Sequence, residues 1–380
     1  MSVEAYLSNI NNEFSVLPFW FWNDDITKEE ISRQLDDFEA HGVYGFTIHP
    51  RVGLPRSLGW MSEAILAFYD FAIEEAHRRH MKVVLYDEGM YPSGSSSGQV
   101  VAANPDFQVR CLDFKIFSGQ TKIQLPPDHN LIATQTMANG EIFATFDRKA
   151  NGYIRGLHFT VEGNDAEDEP MAADILNPKK VKKFIELVYL VFAKRYQKYL
   201  GTTIVGVFTD EPSMLGKSRE KKVMPGTKDI LPEINRILGY DFTPYLPCLW
   251  QEHLPEAKKK KAEYLEAREM RLLETYYAPI SKFCQENNLK LMGHPAKSDD
   301  IGALRFFDIP GQDLVWRMVV PDSPTAIEGE NSTMAKCSSS AMIHLNRERN
   351  LNELCGAYGH QLTWDEMNWL SKWCFIRGVN

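Results

Sequence analysis

The chain has 380 residues, 44% of them hydrophobic and 24% charged, enough to bury one large α/β core or two smaller ones. A formal charge of -9 excludes nucleic acid as the main partner, because phosphate binding needs a clustered basic face. The one basic run, Lys258 to Lys261, is flanked by Glu256, Glu263 and Glu266 and reads as a solvated helix face.

Taken in order, the chain opens with MSVEAYLSNINNEF, which lacks a basic stretch followed by an apolar one, and no later segment approaches the roughly 18 uninterrupted apolar residues of a membrane span. Six cysteines, Cys111, Cys248, Cys284, Cys337, Cys355 and Cys374, are scattered without a CxxC pair, as free thiols in a reducing compartment would be. The expectation is a cytoplasmic protein with no membrane partner.

Phe14 to Trp22 is an aromatic, strand-like run, and Thr27 with Glu30 three residues on forms a capping box for a helix with Ile31, Leu35 and Phe38 on one face. Val43 to His49 is a second strand. A helix from about Ser62 follows, then a third strand, Lys82 to Glu88. From Pro105 to about Pro170 the pattern alternates between apolar and polar residues, broken by Asn139-Gly140 and Asn151-Gly152, which describes an antiparallel insertion with Gly163 to Glu169 as its return linker.

The strand-helix rhythm then resumes with Asn177 as cap and Pro178 at the first helical position. It continues through the strand TIVGVFTDEP at 203–212, a long helix of about Lys258 to Asn287, and the strand LKLMGHP. A unit reaching Asp313 comes next, followed by a helix of Ser332 to Asn346, the strand LNELCGAYG, and a helix capped by Thr363 and Glu366. Seven strands alternating with helices predict a (β/α)8 TIM-type barrel, incomplete at an eighth strand that would begin at Val379 and Asn380. The expected division is 1–104 and 171–380 for the barrel and 105–170 for the inserted β-rich subdomain. A doubly wound open sheet is the structural alternative, but no GxGxxG follows the first strand, so a dinucleotide site lacks support; no organic cofactor is expected.

In such a barrel the C-terminal strand ends form the active-site face. Those ends carry Trp22 and Asn23, His49 and Arg51, Asp87 and Glu88, Asp210 and Glu211, His294, Asp313 and Glu353. Tyr91 and Tyr358 lie close by in sequence, and Trp20, Trp60 and Trp316 add to the aromatic supply for stacking on sugar faces. Glu211 and Glu353, at two strand ends, suit glycosidic cleavage, which needs one protonated acid and one ionised carboxylate about an oxocarbenium-like transition state. Two other readings compete. One is a metal-dependent barrel hydrolase using His49, Asp87, His294 and Asp313, though no HxH pair follows the first strand; the other is a sugar-binding or scaffold protein without catalysis.

The segments PFWFWNDDITKEEISRQLDDFEAHGVYGFTIHPR, KVVLYDEGMYPSG, VGVFTDEP, LMGHP, LNELCGAYG and LTWDEMNWLSKWCFIRGVN resemble, in the same order, the catalytic barrel of the α-L-rhamnosidase glycoside hydrolases of family 106. The resemblance implies a shortened or divergent member, an inverting exo-glycosidase acting on an α-L-rhamnoside or related sugar. Glu211 would be its general acid and Glu353 its general base. It also implies a calcium ion near the sugar hydroxyls, for which Asp210 and Glu330 are the carboxylates considered.

Overall fold

Residues 15–119, 123–158 and 169–380 are described by a computed structural model. Residues 1–14 and all of the expected return linker but Glu169 lie outside them. Among the described residues the strands are β1 (Phe19–Trp22), β2 (Gly45–Pro50), β3 (Lys82–Tyr86), β4 (Arg110–Phe117), β5 (Asn130–Thr136), β6 (Ile142–Lys149), β7 (Ile204–Asp210), β8 (Met224–Gly226), β9 (Lys290–His294), β10 (Ile309–Val315) and β11 (Leu351–Gly356). The expected caps form: Thr27, Ser62, Asn177 and Thr363 each accept a hydrogen bond from a backbone N–H in the first turn of their helix.

Seven strands run parallel in the order β1-β2-β3-β7-β9-β10-β11, and this curled sheet corrects the (β/α)8 expectation. Among the described residues no ladder joins β1 to β11, so the sheet is not closed. The residues expected to begin an eighth strand do something else. Val379 donates its N–H to Cys374 O, ending the helix Trp364–Ile376, while the Asn380 side chain accepts from Asn350 N and donates to Glu348 O. These bonds tie residues 379–380 to their own helix and to the segment just before β11.

Strand residues alternate between two faces. Trp20, Trp22, Phe46, Ile48, Val83, Leu85, Val207 and Leu291 are buried against helix residues such as Leu35, Ile65, Tyr69, Phe184 and Ile280, each apolar side chain contributing about 1.5–3 kcal/mol when fully buried. The opposite, inner face carries Val84, Tyr86, Phe208 and Met292, with Phe19, Ile309 and Leu351 packed beside them.

The insertion is antiparallel as expected, but its sheet has four strands in the order β5-β6-β4-β8. The fourth, β8, comes from beyond β7, and helices Ile230–Leu238 and Ala257–Leu272 share a core with Leu112 of β4. The small sheet is therefore built from more than residues 105–170. Among the described residues no helix is long and apolar enough to cross a membrane.

Candidate active site

Three features bring polar groups together at the C-terminal ends of β7, β9, β10 and β11. First, β7 and β9 pair with Asp210 opposite His294. That approach depends on Gly293, which has φ +117 and where a Cβ would lie 2.0 Å from Thr209 O. Second, β10 and β11 pair with Asp313 opposite Glu353. Third, alternation directs Tyr86, Asp210 and His294 to the inner face with Phe208 and Met292.

A connected line of side chains results. The Tyr86 hydroxyl donates to Asp210 Oδ2 at 2.5 Å. His294 Nε2 lies 3.5 Å from Asp210 Oδ1 and donates to Glu353 Oε2 at 2.9 Å, while its Nδ1 donates to Pro295 O at 3.2 Å. Both ring nitrogens thus act as donors, which describes an imidazolium. Burial opposes that charge, but the hydrogen bond to Glu353 and the charges of Asp210, Glu353 and Asp313 outweigh it and raise the pKa to about 10.

The acids respond the other way. Burial, then the charge of Glu353, pushes Asp210 up to about 7 and Asp313 up to about 8. Asp313 Oδ1 is buried and has no hydrogen-bond partner among the described residues. Gly356 lies against it: a Cβ there would sit 3.3 Å from Val315 Cγ2, 3.4 Å from Asp313 Oδ1 and 3.6 Å from Glu353 Oε1.

Glu211 follows Asp210 with φ +45, a left-handed conformation that is costly for glutamate, and the more so before a proline. Cys355, with φ 70, is the extra residue of a bulge between Leu354 and Gly356. Irregular backbone therefore marks the ends of both strands that carry the two expected catalytic glutamates.

His49 sits farther along the same face, stacked on Tyr86 with ring centroids 3.7 Å apart. Its Nδ1 donates to Pro50 O and its Nε2 accepts from Arg51 at 3.4 Å, so the ring is neutral. Burial and the Arg51 charge lower its pKa to about 3. The Arg51 guanidinium also lies over Phe21 and Tyr91.

Six expected site residues are placed elsewhere. Trp22 packs on Tyr69 in the helix-covered layer. Asp87 points to that same layer, one residue out of phase with Tyr86, and accepts from Ser93 and from Tyr189 at 2.7 Å. Glu88 accepts from the backbone N–H groups of Gly89, Ser95, Ser96 and Ser97, which makes it the anchor of its own loop. Tyr358 is buried among Leu314, Leu370 and Trp373 with its hydroxyl donating to Val319 O. Glu330 is exposed on a short 3-10 helix. Asn23 is exposed beside the turn at Gly53.

Of the four residues of the metal-hydrolase reading, only His294 and Asp313 stand together. Asp210, His294 and Glu353 do bring ligand atoms within 4.8 Å of one another. Calcium, however, takes six to eight oxygen donors, and the centre of this trio is an imidazolium with both nitrogens donating. The residues do not fit calcium.

Tyr86, Arg155 and Lys217 belong to the site surroundings and were not expected. The alternation of β3 signals Tyr86, whereas Arg155 and Lys217 lie outside the strands and carry no sequence signal. Comparison with protein-family models, with curated proteins and with solved structures finds no match.

Proposed function

We propose that the protein is a glycoside hydrolase that cleaves a terminal sugar, an α-L-rhamnoside or a related glycoside, by carboxylate acid/base catalysis. The observation that carries the reading is the inner-face group of Asp210, Asp313 and Glu353 about His294, with Glu211 adjoining it. It places beside Glu211 a carboxylate held by a cation, Glu353 on His294, and two neighbouring carboxyls that keep a proton near neutral pH, a polar setting of the kind that carboxylate acid/base catalysis uses.

In this reading Glu211 delivers a proton to the leaving oxygen. Glu353, oriented by His294, activates water on the other side of the sugar. Asp210 and Asp313, still protonated, can both donate to and accept from sugar hydroxyls. An inverting outcome follows from a water between the two glutamates. The six free cysteines support residence in a reducing cytoplasm.

A panel of aryl glycosides, beginning with an aryl α-L-rhamnoside, tests this reading. Glu353→Gln is expected to lose about 10²–10⁴-fold in kcat on every substrate. Glu211→Gln should lose as much on poor leaving groups and far less on a dinitrophenyl leaving group, which needs no protonation. Unchanged turnover in either variant sinks the assignment, and NMR of the first-formed anomer checks inversion.

A further inference from the structure

Three cations converge on one aromatic ring beside Glu211, with little counter-charge among the described residues. Around the Tyr91 ring, Lys217 Nζ is 4.4 Å, the Arg155 guanidinium 5.0 Å and the Arg51 guanidinium 5.7 Å from the centroid. Among the described residues the nearest acid partner of the three is Glu211, whose Oε2 is 3.9 Å from Lys217 Nζ. Among the described residues Arg51 and Arg155 form no ion pair, and Arg51 donates to the neutral His49 ring.

Each contact with the ring quadrupole is only weakly attractive, and like charges gathered on one ring repel. The excess favours a bound anion. Arg51 is half-buried and presents the planar fork that matches a carboxylate in two parallel hydrogen bonds, while Tyr91 presents a face on which a sugar ring can stack.

We infer that Arg51, Arg155 and Lys217 around Tyr91 form a subsite for a carboxylate-bearing sugar, a uronate, on the leaving-group side of Glu211. The location on that side rests on the glycosidase reading and on Glu211 as its acid; the anion preference does not. The substrate class is then a glycoside whose second unit is an acidic sugar.

Isothermal titration calorimetry on the full chain tests this, with D-glucuronate and D-galacturonate against glucose and galactose, sodium sulfate as a further probe, and low against high salt. Each uronate should bind about tenfold tighter than its neutral parent. Salt should weaken that preference, and Arg51→Gln or Lys217→Gln should remove most of it. Arg155→Gln, at an exposed side chain, keeps the test valid should Arg51→Gln fail to fold, and should lose part of the preference. Equal affinity for uronates and neutral sugars overturns the subsite, as does a preference unchanged in all three variants, or sulfate binding with no uronate preference. Glu353→Gln should keep the preference. A protein that prefers uronates but hydrolyses no glycoside retains the subsite and loses the hydrolase reading.

Discussion

Asp313 shows how one buried acid couples the site to stability. Its carboxyl keeps a proton to about pH 8 in the folded chain, whereas in the unfolded chain it loses it near 3.8. Between those values the folded state binds more protons, so stability falls as pH rises through the window. Asn in its place carries no such penalty. Asp313→Asn should therefore melt higher than wild type at pH 7.5, with a gap that shrinks towards pH 4; a gap constant across that range would show that the site does not hold the proton. Gly356 makes a second residue-scale case. A Cβ would take ordinary contact distance from Asp313 Oδ1 and Glu353 Oε1 and sit 3.3 Å from Val315 Cγ2. The branched methyls of Gly356→Val would fill the space over the two acids, raising KM for a hydrolysed aryl glycoside about tenfold with kcat changed less. An unaltered KM would remove that space from the substrate path.

At the scale of elements, β9 is held to β7 by the close backbone approach at Gly293. A methyl there, 2.0 Å from Thr209 O and at φ +117, must push the strands apart or twist the chain. Gly293→Ala should cost about 2–4 kcal/mol in urea denaturation and displace His294 from Asp210; wild-type stability would mean that the pairing has slack. Most elements were legible in the sequence, since caps and apolar runs are local signals. Facing was legible too, but only through alternation. Reading strand ends as a ring of polar residues placed Asp87 and Glu88 in the site, while the phase of β3 sends Tyr86 inward and Asp87 towards Tyr189. Glu88 has no strand phase, and its four amide partners come from a loop whose turns no pattern announced. Trp22 erred through the same phase argument, one residue after the inward Phe21.

Closure of the sheet is a property of the whole molecule and had no local trace, because it depends on whether β1 and β11, more than three hundred residues apart, bond to each other. Equal spacing of strands and helices is compatible with a closed barrel and with a curled open sheet. Likewise β8, three residues long, was too short to read as the fourth strand of the inserted sheet. An open sheet has a dynamic signature. β3 and β7 are paired on both sides and nearly wholly buried, whereas among the described residues β11 pairs with β10 alone and is half-buried along its length. Amides in β11 then need only a local opening at one edge to exchange, while those in β3 and β7 need loss of the central sheet. Native-state hydrogen exchange should find the backbone of Leu351–Gly356 exchanging well ahead of Lys82–Tyr86 and Ile204–Asp210. Equal protection of β1, β3, β7 and β11 would require a partner on both outer edges and would restore the closed barrel. Because Glu353 lies on that outer strand, a ligand bridging it to Asp210 of β7 and the adjoining Glu211 would tie the edge to the centre. Slowed exchange in β11 on adding a bound sugar would report that tie, and unchanged exchange would place the sugar elsewhere.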